Sequence, residues 1–261
     1  MRAIRFRQAQ PDNYFMATKD YFSGHSKLYA TFRPSYPEEL YQFIFKHVTS
    51  RDTAWDCATG NGQVAQYLSA HFNRVEATDI SQQQLDRAHQ AGNIFYSVQA
   101  AEKTNFSNHA FDLITVGQAL HWFDLPQFYD EVRRVARPNG LLAVWGYAVC
   151  SVSPTVDKIF LDFYNNIVGP YWDDARKMVD EEYRNLKFPF QQIETPKFSL
   201  TVEWTLEQFA GYLTTWSATQ KYIRAKNHNP VPEVVDQLKA HWDSKKVVTF
   251  PIFLKLGRVN F

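Results

Sequence analysis

Five short apolar runs, separated by stretches of other periodicity, fill residues 53–149. They read "TAWDCA", "RVEATDI", "IFYSVQA", "FDLITVGQA" and "LLAVWGYAV", with the length and composition of strands. "GQVAQYLSAHF" follows the first, "SQQQLDRAHQAG" the second, and a segment beginning at Pro126 the fourth. These connections carry apolar residues at helical spacing: Val64, Ala65 and Leu68 in one, Phe128, Val132 and Val135 in another. Strands alternating with helices require a parallel, doubly wound α/β sheet with right-handed crossovers. The unbroken apolar run of the fourth strand fits burial on both faces.

Local signals extend this frame. A helix is expected from Pro37, with Glu38 and Glu39 in its first turn and Leu40, Phe43, Ile44 and Val48 as its stripe. Ser81 and Gln84 form a capping-box pattern opening a helix that Gly92 ends. "RPNG" reads as a turn before the fifth strand. After Cys150 the pattern changes. Val156, Ile159, Phe160 and Phe163 suggest a helix, and "ETPKFSLTVEW" a strand. Thr205 with Gln208 is a second capping box, leading into Phe209, Tyr212, Leu213 and Trp216. Pro232 opens another helix, and "VVTFPIFLKLG" is a last strand. The 261 residues suffice for a core that removes about 75% of the unfolded surface from water. We read one domain over 1–261: a ligand-binding core at 37–150, a helical cap with a late strand at 151–245, and a final strand at 246–261 on the sheet edge.

Charge and composition exclude several functions. A net charge of +1 creates no field to recruit nucleic acid or an acidic membrane. No run approaches the roughly 20 apolar residues of a membrane helix. The opening "MRAIRFRQAQPDNYF" has no apolar run of signal-peptide length. Two cysteines, Cys57 and Cys150, make no disulfide framework, so a cytoplasmic protein is expected, monomeric or homodimeric. No metal is expected, since His121 and Asp124 have no evident third ligand.

Ligands of open α/β sheets sit beyond the carboxyl ends of the strands, where strand order reverses. The first turn there is Thr59-Gly60-Asn61-Gly62. Gly60, Gly62 and Ala65 fit the G-x-G-x-x-A dinucleotide fingerprint, and a ligand-free tight turn is the plainer reading. Asp79, ending the second strand, can accept both hydroxyls of a ribose. That suits a nicotinamide site and an S-adenosylmethionine site alike. Asp56 separates them. A carboxylate ending the first strand repels a pyrophosphate at close range but suits an ammonium and a sulfonium; alternatively it bonds the turn amides. Glu102 could approach an adenine amine, with Ala101 against the ring, or be a solvated loop charge. In "VGQALHWFD", Gln118 would pass beneath the methionine part, while His121 and Trp122 would face a methyl acceptor.

Together, "DCATGNGQ", "ATDIS", "AAEKTNFSNHAFDLITVGQALHWFD" and "RPNGLLAVWGY" resemble the class I S-adenosylmethionine-dependent methyltransferases over about 50–150. "YFSGHSKLYATFRPSYPEEL" and "QALHWFD" resemble a small-molecule branch that includes trans-aconitate methyltransferase-like proteins. The resemblance implies a seven-stranded Rossmann-like sheet with its last strand antiparallel. It also implies S-adenosyl-L-methionine as cofactor, held through Asp56, Gly60 and Gly62 at its methionine moiety and Asp79 at its ribose. Ile80, Ala101 and Glu102 would then lie by the adenine, and Gln118 in the loop after the fourth strand. Many members carry an acid where this chain has Ala100, so adenine recognition falls to Glu102 or backbone amides.

Methyl transfer is an in-line displacement needing alignment rather than a nucleophilic side chain. His121 is the candidate base, with an ordinary pKa near 6.5, or it packs on Trp122. Tyr29 and Tyr36 flank "RPSYP" and could orient the acceptor or face the sulfonium. Arg33 could clamp an acceptor carboxylate, and Trp216 could line the acceptor pocket or pack in the cap. The expected reaction is methylation of a carboxylate or hydroxyl oxygen on a small organic acceptor. The alternative is an NAD(P)-dependent oxidoreductase, which leaves the histidine–tryptophan pair without a role. A nucleic-acid amino-methylating enzyme would place Asn-Pro-Pro-Tyr where this chain has "GQALHW".

Overall fold

The computed structural model describes residues 35–260. In chain order these form α1 (Glu38–His47), β1 (Thr53–Cys57), α2 (Gln63–Ser69), β2 (Arg74–Asp79), α3 (Gln82–Leu85), β3 (Ile94–Val98) and β4 (Phe111–Gly117). A turn of 3-10 helix (Leu120–Trp122), α4 (Leu125–Val135) and β5 (Ala136–Tyr147) complete the alternating part. The cap holds α5 (Pro154–Asp162), α6 (Arg176–Asp180), β6 (Gln191–Ile193), β7 (Phe198–Trp204), α7 (Leu206–Thr214), α8 (Ser217–Lys226) and α9 (Val231–Leu238), and β8 (Lys246–Arg258) closes the sheet.

The strands line up as β3-β2-β1-β4-β5-β8-β6, with β7 also on β8. The pairs from β3 to β5 are parallel, and β8 runs antiparallel to β5, β6 and β7. The described sheet thus has the antiparallel last strand that was expected, and eight strands where seven were expected. The extra one is three-residue β6, beside the C-terminal part of β8, while β7 takes the N-terminal part of the same edge. Strand order reverses between β1 and β4, which places the binding crevice at their carboxyl ends.

Both sheet faces are covered. Six of the seven residues of β4 are buried, as its unbroken apolar run implied. On one face α1 and α2 deliver Leu40, Ile44, Val64 and Leu68, and the cap adds Phe160, Phe209 and Leu213. On the other, Trp55 and Ile114 pack with Phe128, Val132 and Val135 of α4. Trp55 is fully buried and satisfies its indole N–H on Thr78 Oγ1 at 2.9 Å. Asp124 caps α4 by accepting from the Gln127 amide (3.2 Å), and the Thr205–Gln208 box of α7 closes in both directions.

Three local expectations shift. Pro37 is extended and precedes the first helical residue rather than being it. The helix opened by Ser81 stops at Leu85, seven residues before Gly92. There the chain turns to set Ala88 against the glycine turn, and the His89 carbonyl accepts the Tyr96 hydroxyl at 2.7 Å. "RPNG" is an excursion inside β5, whose register with β4 jumps from Phe111↔Ala136 to Leu113↔Leu141. Arg137 holds it there by donating to both oxygens of buried Asp112 at 2.9 Å.

Candidate active site

The carboxyl ends of β1 and β2 bring the glycine turn and two acids together. Gly60 and Gly62 have φ of 58° and 82°, the left-handed conformation their residue type admits. Ala58 shares it, at φ 54°. An alanine there costs roughly 1–2 kcal/mol, against an unfolded-state entropy gain over glycine of about 0.4–1 kcal/mol. Ala58→Gly is therefore expected to leave stability unchanged or raise it by up to about 1.6 kcal/mol in urea unfolding.

Asp56 is 1% exposed and organises the turn. Its Oδ2 accepts from the Ala65 amide (3.1 Å) and from Thr59 Oγ1 (2.5 Å), and its Oδ1 accepts from Thr115 Oγ1 (2.9 Å). The amide it accepts from lies in the first turn of α2, and its contact with the glycine turn itself is the Thr59 hydroxyl rather than a turn amide. Burial raises the Asp56 pKa from 3.8 to about 7, the three hydrogen bonds oppose that rise, and the charge of Asp79 adds to it. Asp79 Oδ2 accepts from the Gly60 amide and its Oδ1 from the Ser81 amide, both at 2.9 Å. Asp56, Glu102 and Asp79 all push the buried Cys57 thiol further above its ordinary value, burial being the main cause. Three carboxylates therefore converge on this edge, a setting that fits a ligand bearing an ammonium and a sulfonium.

Ile80, 42% exposed beyond Asp79, is an uncovered apolar surface, as is Val98 beside Asp79 at the end of β3. Ala101 is buried. Glu102 Oε1 accepts from the Asp124 amide at 2.9 Å, so one of its oxygens is tied to the start of α4 rather than presented to a ligand. At the end of β4, Gln118 is left-handed (φ 57°); its amide N–H donates to the Trp145 carbonyl (2.9 Å) and its Nε2 to that of Tyr147 (3.3 Å). The Tyr36 hydroxyl lies at the same place, 3.3 Å from where a Cβ on Gly117 would stand, and its ring meets Trp145 edge-on at 5.4 Å. Tyr29 and Arg33 lie outside the described residues.

His121 sits on the turn after β4, its ring 4.7 Å from Trp122 and its Nδ1 3.1 Å from the Tyr183 hydroxyl. Burial and, secondarily, the charge of Arg176 lower its pKa to about 3. The imidazole is neutral at working pH and far weaker as a base than an ordinary histidine. Trp216, 4% exposed, packs among Phe163, Tyr164, Trp172 and Tyr212 in the aromatic core of the cap.

Residues not anticipated from sequence include Thr115, Ala58, Arg176 and Tyr183. Ala58 had a signal, two positions before Gly60 in a turn whose alternate residues are left-handed. Tyr183 had none, being 62 residues from His121.

The Asp56 carboxyl gives a pH test. Below about 7 it holds its proton and above about 7 it is an anion. Affinity for a cationic ligand at this edge is expected to rise as pH increases through about 7, to lose that rise in Asp56→Asn, and to keep it in His121→Gln, as titration calorimetry would read. The stability of the unliganded fold moves the other way. The unfolded chain releases this proton near 3.8, so the Asp56 contribution falls as pH rises from 3.8 to about 7.

Known proteins share this chain's sequence and fold. A family profile described as "Methyltransferase domain" matches residues 55–144. A methyltransferase-family protein of Dictyostelium discoideum is 36% identical over 249 residues, covering 92% of this chain and 95% of its own. CRG1 of Saccharomyces cerevisiae, named for S-adenosylmethionine-dependent methyl transfer, is 22% identical over 84% of this chain and 86% of its own. A solved structure assigned as a type II methyltransferase from Anaeromyxobacter dehalogenans superposes with a TM-score of 0.81 at 35% identity, covering 88% of this chain and 99% of that one.

Proposed function

The chain belongs to the class I S-adenosylmethionine-dependent methyltransferases, and from that premise we propose that it methylates an oxygen of a small organic acceptor, a carboxylate first and a hydroxyl second. One observation carries the choice. The candidate base, His121, is bonded to Tyr183 and held neutral with a pKa of about 3. A carboxylate is already deprotonated at neutral pH and needs no base, whereas a hydroxyl must lose a proton during transfer. The resemblance of "QALHWFD" to the small-molecule branch supports the same acceptor.

The cofactor supplies a methyl group already activated by its sulfonium. The protein's part is alignment, for which in-line positioning removes roughly 7–11 kcal/mol of barrier. In this reading Asp79 accepts from the ribose hydroxyls, Ile80 supports the adenine, and Asp56 lies behind the glycine turn as the counter-charge. Gln118 and the Tyr36 hydroxyl, both at the end of β4, flank the methionine part. His121 positions the acceptor through its ring and its bond to Tyr183 rather than removing a proton. The nicotinamide alternative gains no support from the family.

No helix among the described residues is long and apolar enough to cross a membrane. We propose that the enzyme works in the cytoplasm, as a monomer or homodimer, without nucleic acid or metal.

Labelled methyl transfer from S-adenosylmethionine to a panel of small acids and alcohols tests the acceptor class. A carboxylate product is a methyl ester, which releases labelled methanol in mild alkali; an ether or methylamine does not. Volatile label after alkali is expected. Alkali-stable label on a hydroxyl or nitrogen acceptor would contradict the carboxylate assignment.

A further inference from the structure

The cap sets a guanidinium on the helix that packs against the His121 turn, and its fork is unengaged among the described residues. Arg176 opens α6, which packs against the Leu120–Trp122 turn that carries His121. Its Nε donates to Asp180 Oδ1 (3.0 Å) and to the Tyr164 hydroxyl (3.1 Å). Both partners sit on that one nitrogen. Nη1 and Nη2 donate to no described residue, although the side chain is only 21% exposed. The guanidinium carbon lies 4.9 Å from the Trp172 ring centre and 5.8 Å from that of Tyr164. Asp180 is the acid paired with it, while neighbouring Asp173 is engaged by Lys221 at 2.5 Å.

A purely structural i,i+4 pair with Asp180 leaves part of this unexplained. Neither terminal nitrogen is among the sealed, unpartnered atoms of the described residues, so solvent reaches the fork and the oxygens of a ligand can replace it. The two terminal nitrogens of arginine match the two oxygens of a carboxylate, and aromatic walls strengthen that pairing by excluding water. We propose that Arg176 is the specificity residue that grips an oxyanion of the methyl acceptor through Nη1 and Nη2, inside a niche walled by Trp172 and Tyr164. The proposal rests on the methyltransferase reading of the same edge. It makes the acceptor an anion with a flat or apolar body, and it places the anion-recognising arginine in the cap, beside any part Arg33 has.

Calorimetry on the full chain saturated with S-adenosylhomocysteine tests it, with benzoate and succinate as probes, benzamide and succinamide as uncharged controls, and inorganic phosphate as a second oxyanion. At least one acid is expected to bind about tenfold or more tightly than its amide, and to lose about tenfold or more in Arg176→Gln. S-adenosylhomocysteine affinity should stay unchanged in that variant. Arg176→Lys keeps the charge and removes the fork. It should recover only part of the carboxylate affinity, and it serves as the reading should the glutamine variant lose its fold. Phosphate binding with the same Arg176 dependence, and no carboxylate binding, would keep the clamp and change the acceptor class to a phosphate ester. Equal acid binding by wild type and both variants would overturn the proposal, as would binding of no oxyanion by a protein that does bind S-adenosylhomocysteine. Failure to bind S-adenosylhomocysteine would instead overturn the cofactor site beneath it, and the clamp with it.

Discussion

Gly62→Val is expected to lower stability by about 2–5 kcal/mol and to abolish cofactor binding. Two separate costs combine. At φ +82° a β-branched residue is held in a conformation that L side chains disfavour, at roughly 1–2 kcal/mol. A Cβ there also runs into the Tyr96 hydroxyl and stands 3.2 Å from the Ala88 Cβ. Tyr96 does not give way freely, because its hydroxyl donates to the His89 carbonyl at 2.7 Å. Relief requires moving β3 or the segment after α3, an overpacking cost of about 1–3 kcal/mol. Gly60→Ala is the control. Gly60 is also left-handed, at φ +58°, but a Cβ there meets nothing within 4 Å, so only the conformational cost applies. Urea unfolding should rank the variants wild type, Gly60→Ala, Gly62→Val. A Gly62→Val protein as stable as wild type would show that the turn is not packed as described.

Asp79→Ala is expected to weaken S-adenosylmethionine binding by about 1–3 kcal/mol, roughly 5–150-fold, while the protein stays folded. The carboxylate has two tasks at this edge. It accepts from the Gly60 and Ser81 amides, which fixes the turn relative to β2, and it stands where a ribose would present its hydroxyls. Asp79→Asn separates them. Its carbonyl can retain one amide bond, but its NH2 group cannot accept from a hydroxyl. Loss of affinity in both variants, with near-wild-type melting in Asp79→Asn, is the expected pattern. Unchanged affinity in either would remove Asp79 from the ribose site.

The part of this architecture set by local pattern was legible in the sequence. Strand–helix alternation led to the parallel core and to a crevice at the first strand-to-helix turn, and Thr205–Gln208 announced α7 by its reciprocal cap. What escaped depends on contacts distant in the chain. The charge of Asp56 pointed to a cationic partner, yet its burial and its bond to Thr115 follow from the Asp56↔Thr115 register of β1 and β4. The helix after Ser81 looked long by periodicity, but the Tyr96–His89 bond and the packing of Ala88 on the glycine turn end it early. "RPNG" carried a sound turn signal, and the Arg137–Asp112 ion pair absorbs it within a longer strand. His121 looked like an ordinary histidine base until Tyr183 and Arg176, both from the cap, were placed beside it. Cap residues had no local signal for the site, because which of them face the crevice depends on how α5 to α9 pack together.

The central claim is that the nucleoside of S-adenosylmethionine lies across the carboxyl ends of β1 and β2, its sugar on Asp79 and its base on Ile80. A crystal structure with S-adenosylhomocysteine bound reads this directly. The expected result is both ribose hydroxyls within hydrogen-bonding distance of the Asp79 carboxylate and the adenine in contact with Ile80. Ribose hydroxyls directed away from Asp79, or the nucleoside at any other edge of the sheet, would contradict it.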